Sequence, residues 1–248
     1  MGINNSSETR VKPLGQAIIR DHDQLNKVLE LVNASPIGDF EDMNVYFTDD
    51  ECGRKEKSLP ATSHHLLSIL ELIQNNSDFR NSIRKKATTA SKKEERTLLF
   101  ELDNDAFFKA REIVSNHIKG NQNRWAYFEG ESRPDLFIEN DKAIILVEGK
   151  RTESDTTGEV SYLENRSQMV RHIENALYYS HYKKKVIAFY IIDGNCDYHN
   201  HCTKDALIED LKNETIRKSD EIEKSIIGSF YGYTTWQEIG NHLGIQYK

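Results

Sequence analysis

The chain has 248 residues, with 33 basic against 40 acidic side chains and a formal charge of −7. Hydrophobic residues make up 37%, with only 4 Pro and 13 Gly, which excludes collagen-like, coiled-coil and low-complexity classes and predicts one or two globular domains. No apolar run approaches the roughly 20 residues of a spanning helix and no secretory leader is expected, while 3 Cys fit a reducing cytoplasm better than a disulfide scaffold.

Residues 1–15 are polar and read as a loose tail. Residues 16–100 read as a mostly helical region. Leu25, Val28, Leu29 and Val32 recur at helical spacing, and Thr62 or Ser63 is placed to cap a helix carrying Leu66, Leu67, Leu70 and Ile73. A non-helical excursion surrounds Val45-Tyr46-Phe47. Between Arg80 and Arg96 a basic run (Arg80, Arg84, Lys85, Lys86, Lys92, Lys93, Arg96) outweighs Glu94 and Glu95. It reads as a solvated helix face, with phosphate contact as the functional alternative.

The pattern changes after Glu101. Asp103 or Asn104 caps a helix through Phe107, Phe108, Ile113 and Ile118, closed by Gly120. Three strands are then predicted at Arg124–Phe128, Asp135–Glu139 and Ala143–Lys150. The third is apolar on both faces and belongs in the middle of a sheet. Ser167 opens a helix with Met169, Val170, Ile173 and Leu177 on one stripe. Val186–Ile192 is a second two-sided strand, followed by a helix over 204–217, an aromatic segment Phe230–Trp236 and a short terminal helix. The expectation is an α/β fold, a mixed sheet flanked by helices over residues 101–248.

Asp135, Glu148 and Lys150 carry the chemistry. Glu148 and Lys150 are two apart on one strand and so share a face. An even-length hairpin loop at Asn140-Asp141 pairs Glu139 with Lys142 and Asp135 with Leu146, which puts Asp135 on that same face. An odd loop would separate them. Two carboxylates beside an ammonium suit a hard divalent cation such as Mg²⁺ or Mn²⁺, with the Gly149 carbonyl as a further oxygen ligand. Lys150 is then placed to orient a water or to stabilise charge on a phosphoryl group.

Glu131-Ser132-Arg133-Pro134-Asp135 followed by Glu148-Gly149-Lys150 resembles the motif of the PD-(D/E)XK nuclease superfamily. That resemblance implies a restriction-endonuclease-like core of a helix, three strands, a helix and a strand. It implies Asp135, Glu148 and the Gly149 carbonyl as metal ligands and Lys150 as the catalytic lysine. It adds Glu112 as a glutamate from the first core helix. On the helix after the lysine strand, Gln168, Arg171, His172 and Asn175 form a polar stripe, from which Gln168 and Arg171 are the candidate substrate contacts. The chain departs from the family in having glycine between the Glu and the Lys.

Other signals are weaker. Cys196 to Cys202 holds four zinc-type ligands in a loop too short to close a tetrahedron easily. His64 and His65 read as surface or cap residues. No nucleophile elbow or phosphate loop is present. Phe230, Tyr231, Tyr233 and Trp236 read as packing rather than as a base-stacking platform. The expected function is a Mg²⁺- or Mn²⁺-dependent nuclease acting on DNA, with the N-terminal region supplying specificity, phosphate contacts or a homodimer surface. The alternative is a nuclease-fold binding module without catalysis.

Overall fold

The computed structural model describes residues 7–37, 42–86, 93–116, 127–150, 163, 166–194 and 197–247. Helices α1 (Lys12–Arg20) and α2 (Asp23–Leu31) open the chain behind a single π-turn at Ser7–Val11. Strand β1 (Asn44–Phe47) follows. Four helices come next, α3 (Ser63–Asn75), α4 (Ser77–Lys86), α5 (Lys93–Phe100) and α6 (Asn104–Ser115). The remainder runs β2 (Leu136–Glu139), β3 (Ala143–Lys150), α7 (Gln168–Tyr179), β4 (Lys185–Ile192), α8 (Lys204–Asn213), α9 (Asp220–Ser229), β5 (Phe230–Thr235) and α10 (Trp236–Leu243).

The strands form one sheet in the order β1-β2-β3-β4-β5. β1, β2 and β3 are antiparallel neighbours, whereas β3, β4 and β5 run parallel. The fold is therefore α/β, a five-stranded mixed sheet flanked by helices. Every residue of β3 is buried and all of β4 but its first, because helices cover both faces. Leu14, Ile18, Leu25, Val28, Leu29, Trp236 and Ile239 from α1, α2 and α10 pack on one side, against Ile145, Val147, Phe189 and Ile191. Met169, Val170, Ile173, Leu207, Leu211 and Ile226 from α7, α8 and α9 cover the other, against Ile144, Leu146, Ala188 and Tyr190. Helices α3 to α6 build a third core around Leu66, Ile69, Leu70, Ile73, Phe107 and Val114.

Several boundaries differ from expectation. The first strand of the sheet is not Arg124–Phe128: Tyr127 and Phe128 are a 3₁₀ and a turn residue, Phe128 has φ 79°, and residues 117–126 lie outside the described residues. The strand is β1 instead, so the Val45-Tyr46-Phe47 excursion belongs to the sheet, and the elements from α3 to α6 separate it from β2. Residues 7–15 are not a loose tail, because Val11 and Leu14 are buried in the core. The sheet and its first core thus join residues on both sides of position 100.

Caps account for the helix starts. Thr62 Oγ1 accepts from the His65 N–H and Asp103 Oδ1 from the Ala106 N–H. The helix begun at Asp103 ends at Ser115, with its predicted continuation to Gly120 outside the described residues. Residues 204–217 form only a helix to Asn213, and the aromatic segment becomes β5, with Phe230 and Trp236 buried. The basic run is partly consumed inside the protein: Arg80 donates to the Ile73 carbonyl at 2.7 Å, and Arg96 is buried over the Phe128 ring. Residues 87–92 of that run lie outside the described residues. Among the described residues no helix is long and apolar enough to cross a membrane.

Candidate active site

The hairpin between β2 and β3 sets the site. Leu136 pairs with Val147 and Glu139 with Ile144, so one step further Asp135 stands opposite Glu148. The predicted pairing of Asp135 with Leu146 is corrected by two residues. The Asn140 side chain causes the shift: its Oδ1 accepts the N–H groups of Lys142 and Ala143 at 2.9 and 2.8 Å, while its own N–H reaches the Ala143 carbonyl. A shift of two preserves parity, with Glu148 and Lys150 on the face under α7; Asp135 precedes β2, and its carboxylate stands 3.4 Å from where a Gly149 Cβ would point toward Trp236.

β2 begins at Leu136, so beyond its first residue the N–H of Gly149 meets the Asp135 carboxylate at 2.8 Å. A strand residue sends its N–H and C=O to the same side, so the Gly149 carbonyl points toward the same gap beside Asp135. On the α7 face, Lys150 Nζ lies 3.1 Å from Glu148 Oε1 and 2.6 Å from Gln168 Oε1. The Gln168 amide nitrogen donates to Glu148 Oε1 at 2.6 Å, closing the triangle. His172 Nε2, one turn along α7, sits 3.3 Å from Glu148 Oε2 without hydrogen-bond geometry.

These groups are nearly out of water, with Glu148 4% and Lys150 5% exposed. Burial pushes the Asp135 carboxyl well above the usual carboxylate range, and repulsion from Glu148 pushes it further, against the Gly149 N–H and Lys150. Burial also drives Glu148 upward, but Lys150 and His172 outweigh it and hold that carboxyl below its ordinary value. The two acids are thus in different electrostatic states. Among the described residues Glu148 Oε2 has no hydrogen-bond partner, an open acceptor that a cation would satisfy.

A third acid feels the charge of Glu148. Glu56, on the segment after β1, accepts from Thr48 Oγ1 at 3.0 Å. Its carboxyl is raised, first by burial and then by the charge of Glu148, with Arg133 and His172 opposing. Sequence reasoning missed Glu56, because its place depends on β1 pairing with β2. Glu112, the expected helical glutamate, is exposed on α6, a helix that packs into the separate third core, and it is not brought to the pair. Among the described residues no group of three or more His, Cys, Asp or Glu is arranged to hold a metal ion. What the site offers is two carboxylates and a backbone carbonyl.

The polar stripe of α7 divides in two. Gln168 and His172 face β3, whereas Arg171 and Asn175 grip the segment leading to Asp135. Arg171 is 3% exposed, lies 3.6 Å from Glu129 and donates to the Glu131 carbonyl. Its place as a substrate contact is therefore corrected: it is a buried anchor. Asn175 Nδ2 donates to Ser132 Oγ at 3.0 Å, and Ser132 forms a backbone bridge with Leu59.

Behind this anchor lies a buried charge cluster that the sequence did not announce. Arg166 donates to Glu129 from Nε and Nη2, to both oxygens of Glu214 at 3.0 Å, and to Glu174 at 2.8 Å. Lys218 joins Glu174 and Glu214. His65 Nε2 lies 2.7 Å from Glu129 Oε2, so His65 is a buried partner in the cluster rather than a surface residue, while His64 is exposed. Every one of these charges has an opposite within reach, as burial demands. Comparison of the chain with protein-family models, with curated proteins and with solved structures found no match.

Proposed function

We propose that this chain is a divalent-metal-dependent nuclease that hydrolyses phosphodiester bonds, with DNA as its foremost substrate. The observation that carries the reading is Asp135, half-buried just before β2, set against the buried Glu148–Lys150 pair of β3. Withdrawing a carboxylate from water costs free energy unless it is matched, and among the described residues Asp135 takes only the Gly149 N–H. Groups left in that state mark functional sites.

The residues suit a hard cation, because Mg²⁺ takes one or two carboxylates and keeps several waters. Asp135, Glu148 and the Gly149 carbonyl would hold Mg²⁺ or Mn²⁺, which would supply Lewis acidity to a phosphoryl oxygen and lower the pKa of a bound water. The protein's own share is positional. Lys150, fixed by Gln168 and Glu148, presents a cation where charge develops on the phosphoryl oxygens. Glu148, held below the ordinary carboxylate range, is ionised and ready to bind at neutral pH.

The element order also supports the restriction-endonuclease-like reading. From α6, the helix expected to open the core, β2, β3, α7 and β4 follow in the order that the resemblance to PD-(D/E)XK nucleases implies, one strand short. β1 takes the place assigned to Arg124–Phe128, with α3 to α6 inserted before β2. The test is incubation of the chain with plasmid, linear and single-stranded substrates, with Mg²⁺ and with EDTA. Metal-dependent cleavage should fall on the order of 10²-fold or more in Asp135→Asn; cleavage at the wild-type rate in that variant would overturn the reading.

One observation favours a second reading, a nuclease-fold nucleic-acid-binding module without catalysis. Lys150 is already engaged by both Glu148 and Gln168, an arrangement that is self-sufficient. Calorimetric titration with Mg²⁺ separates the two: carboxylate-dependent binding supports the nuclease, and DNA affinity without metal binding supports the module.

A further inference from the structure

The imidazole of His172 is 2% exposed, and among the described residues neither Nδ1 nor Nε2 has a hydrogen-bond partner. Its position is fixed, because Met169, Val170 and Ile173 on either side of it pack α7 onto the sheet. The carboxylate it faces is also incomplete. Glu148 Oε1 takes both Lys150 and Gln168, whereas Oε2 takes no hydrogen bond among the described residues. A buried polar atom without a partner is costly. Three of them in one place, on His172 and Glu148, call for a group that the protein does not itself supply.

The spacing of these atoms identifies the group. His172 Nε2 and Glu148 Oε2 lie 3.3 Å apart without hydrogen-bond geometry between them. Two ligands each about 2.1 Å from one ion stand about 3.0 Å apart when they meet at a right angle, and about 3.4 Å apart at the tetrahedral angle. The observed separation falls between the two. A neutral imidazole nitrogen and a carboxylate oxygen both offer lone pairs, so they repel at this distance unless a cation joins them. Lys150 does not do so, since it is held at the other oxygen of Glu148.

We propose that Glu148 Oε2 and His172 Nε2 are two ligands of a first-row transition-metal ion, with its other positions left to water and substrate oxygens. The proposal deepens the nuclease reading, and rests on it for what the ion does but not for where it binds. The class of ion follows from the donors. Mg²⁺ is served by oxygen, whereas an imidazole nitrogen favours first-row transition ions, whose affinities rise from Mn²⁺ through Co²⁺ toward Cu²⁺. The resemblance to PD-(D/E)XK nucleases implies oxygen ligands from Asp135, Glu148 and Gly149, so the nitrogen is this chain's own addition. It comes from the helix face that already fixes Lys150 through Gln168, one turn away.

The test uses the full chain without an affinity tag and Co²⁺ as the probe, because its visible absorption reports its ligands. Calorimetry should show Co²⁺ binding more tightly than Mg²⁺. His172→Gln should weaken Co²⁺ roughly 10- to 100-fold or more, since losing even an outer-shell partner costs that much, and should leave Mg²⁺ affinity unchanged. A melting curve in EDTA shows whether the variant folds. If it does not, the wild-type chain decides: with substoichiometric Mn²⁺ bound, pulsed EPR should show the nitrogen modulation of an imidazole ligand. Equal Co²⁺ affinity in a folded His172→Gln, or bound Mn²⁺ without that nitrogen, would overturn the proposal. His172-dependent metal binding with no DNA cleavage in Co²⁺, Mn²⁺ or Mg²⁺ would remove the hydrolytic reading and leave the metal site standing. Cleavage with Mg²⁺ but no Co²⁺ bound at His172 would do the reverse.

Discussion

Trp236 lies so close to Gly149 that a Cβ built on the glycine would stand 2.9 Å from the indole Cζ2, and 3.4 Å from Asp135 Oδ2. This explains the glycine between the acid and the lysine. The position faces α10, where the buried indole already fills the space that an apolar side chain would occupy. Gly149→Ala should therefore cost about 1–3 kcal/mol by overpacking and should also push on the Asp135 carboxylate, lowering cleavage. Adding Trp236→Phe should recover part of the loss. A double-mutant cycle in urea would show the coupling, since neighbours in contact deviate from additivity by about 0.5–3 kcal/mol.

Asp135→Asn should separate stability from activity. Asn keeps an oxygen for the Gly149 N–H but removes a carboxyl raised well above the ordinary range by burial and by Glu148. For such a group the favourable contribution to folding is complete below the ordinary carboxylate pKa and is lost as pH rises through the raised value. The variant should therefore gain on wild type as pH increases, by on the order of 1 kcal/mol once Asp135 is ionised, and the gain should vanish in acid. Mg²⁺ should reverse the order: at about 100 times its Kd it adds roughly 2.7 kcal/mol to the protein that binds it, and the Asn variant should not respond. Urea midpoints across pH, with and without the metal, measure both effects.

Lys150 is a less clean probe. Its removal by Lys150→Ala strands the buried Glu148 with only Gln168 and His172 nearby, and breaking a buried pair costs about 3–5 kcal/mol. Glu148→Gln combined with Lys150→Met should fold better than Lys150→Ala alone while remaining just as inactive. Comparing the denaturation midpoints and the cleavage rates of the two proteins checks this directly.

The sequence made the sheet centre and the shared face of Glu148 and Lys150 legible, because both rest on local parity and on two runs that are apolar throughout. β3 and β4 fall where those runs place them, and Ser167 precedes α7 as expected. What stayed hidden was non-local. β1 is four residues long and becomes a strand only through its partner β2, so Glu56 could not be linked to the Glu148 charge, and Glu112 was chosen from a helix that packs elsewhere. Arg171 and His172 are neighbours with opposite destinations, which helical periodicity alone cannot assign. The turn at Asn140 moved the register by two, which sets Asp135 opposite Glu148 in place of Leu146.

The charge cluster on Arg166 makes the most demanding prediction about stability. One guanidinium serves Glu129, Glu174 and Glu214 from loops and helices far apart in sequence. Burial pushes the Glu129 carboxyl upward, but Arg166, His65 and Arg171 overcome it and hold it well below the ordinary range; Glu174 is lowered too, with burial opposed by Arg166 and Lys218. Groups with lowered values stabilise the fold above the ordinary carboxylate pKa of about 4.3, and that stability disappears as pH falls through the lowered values. Arg166→Met should cost about 3–5 kcal/mol at neutral pH by leaving three acids with too few cations. It should also flatten the acid limb of the stability curve, because Glu129 and Glu174 lose the partner that depresses them. Arg166→Lys should rescue little, since an ammonium cannot fork to three carboxylates as the guanidinium does. A steep acid limb in Arg166→Met, measured as urea midpoint against pH, would show that the cluster does not hold these acids ionised.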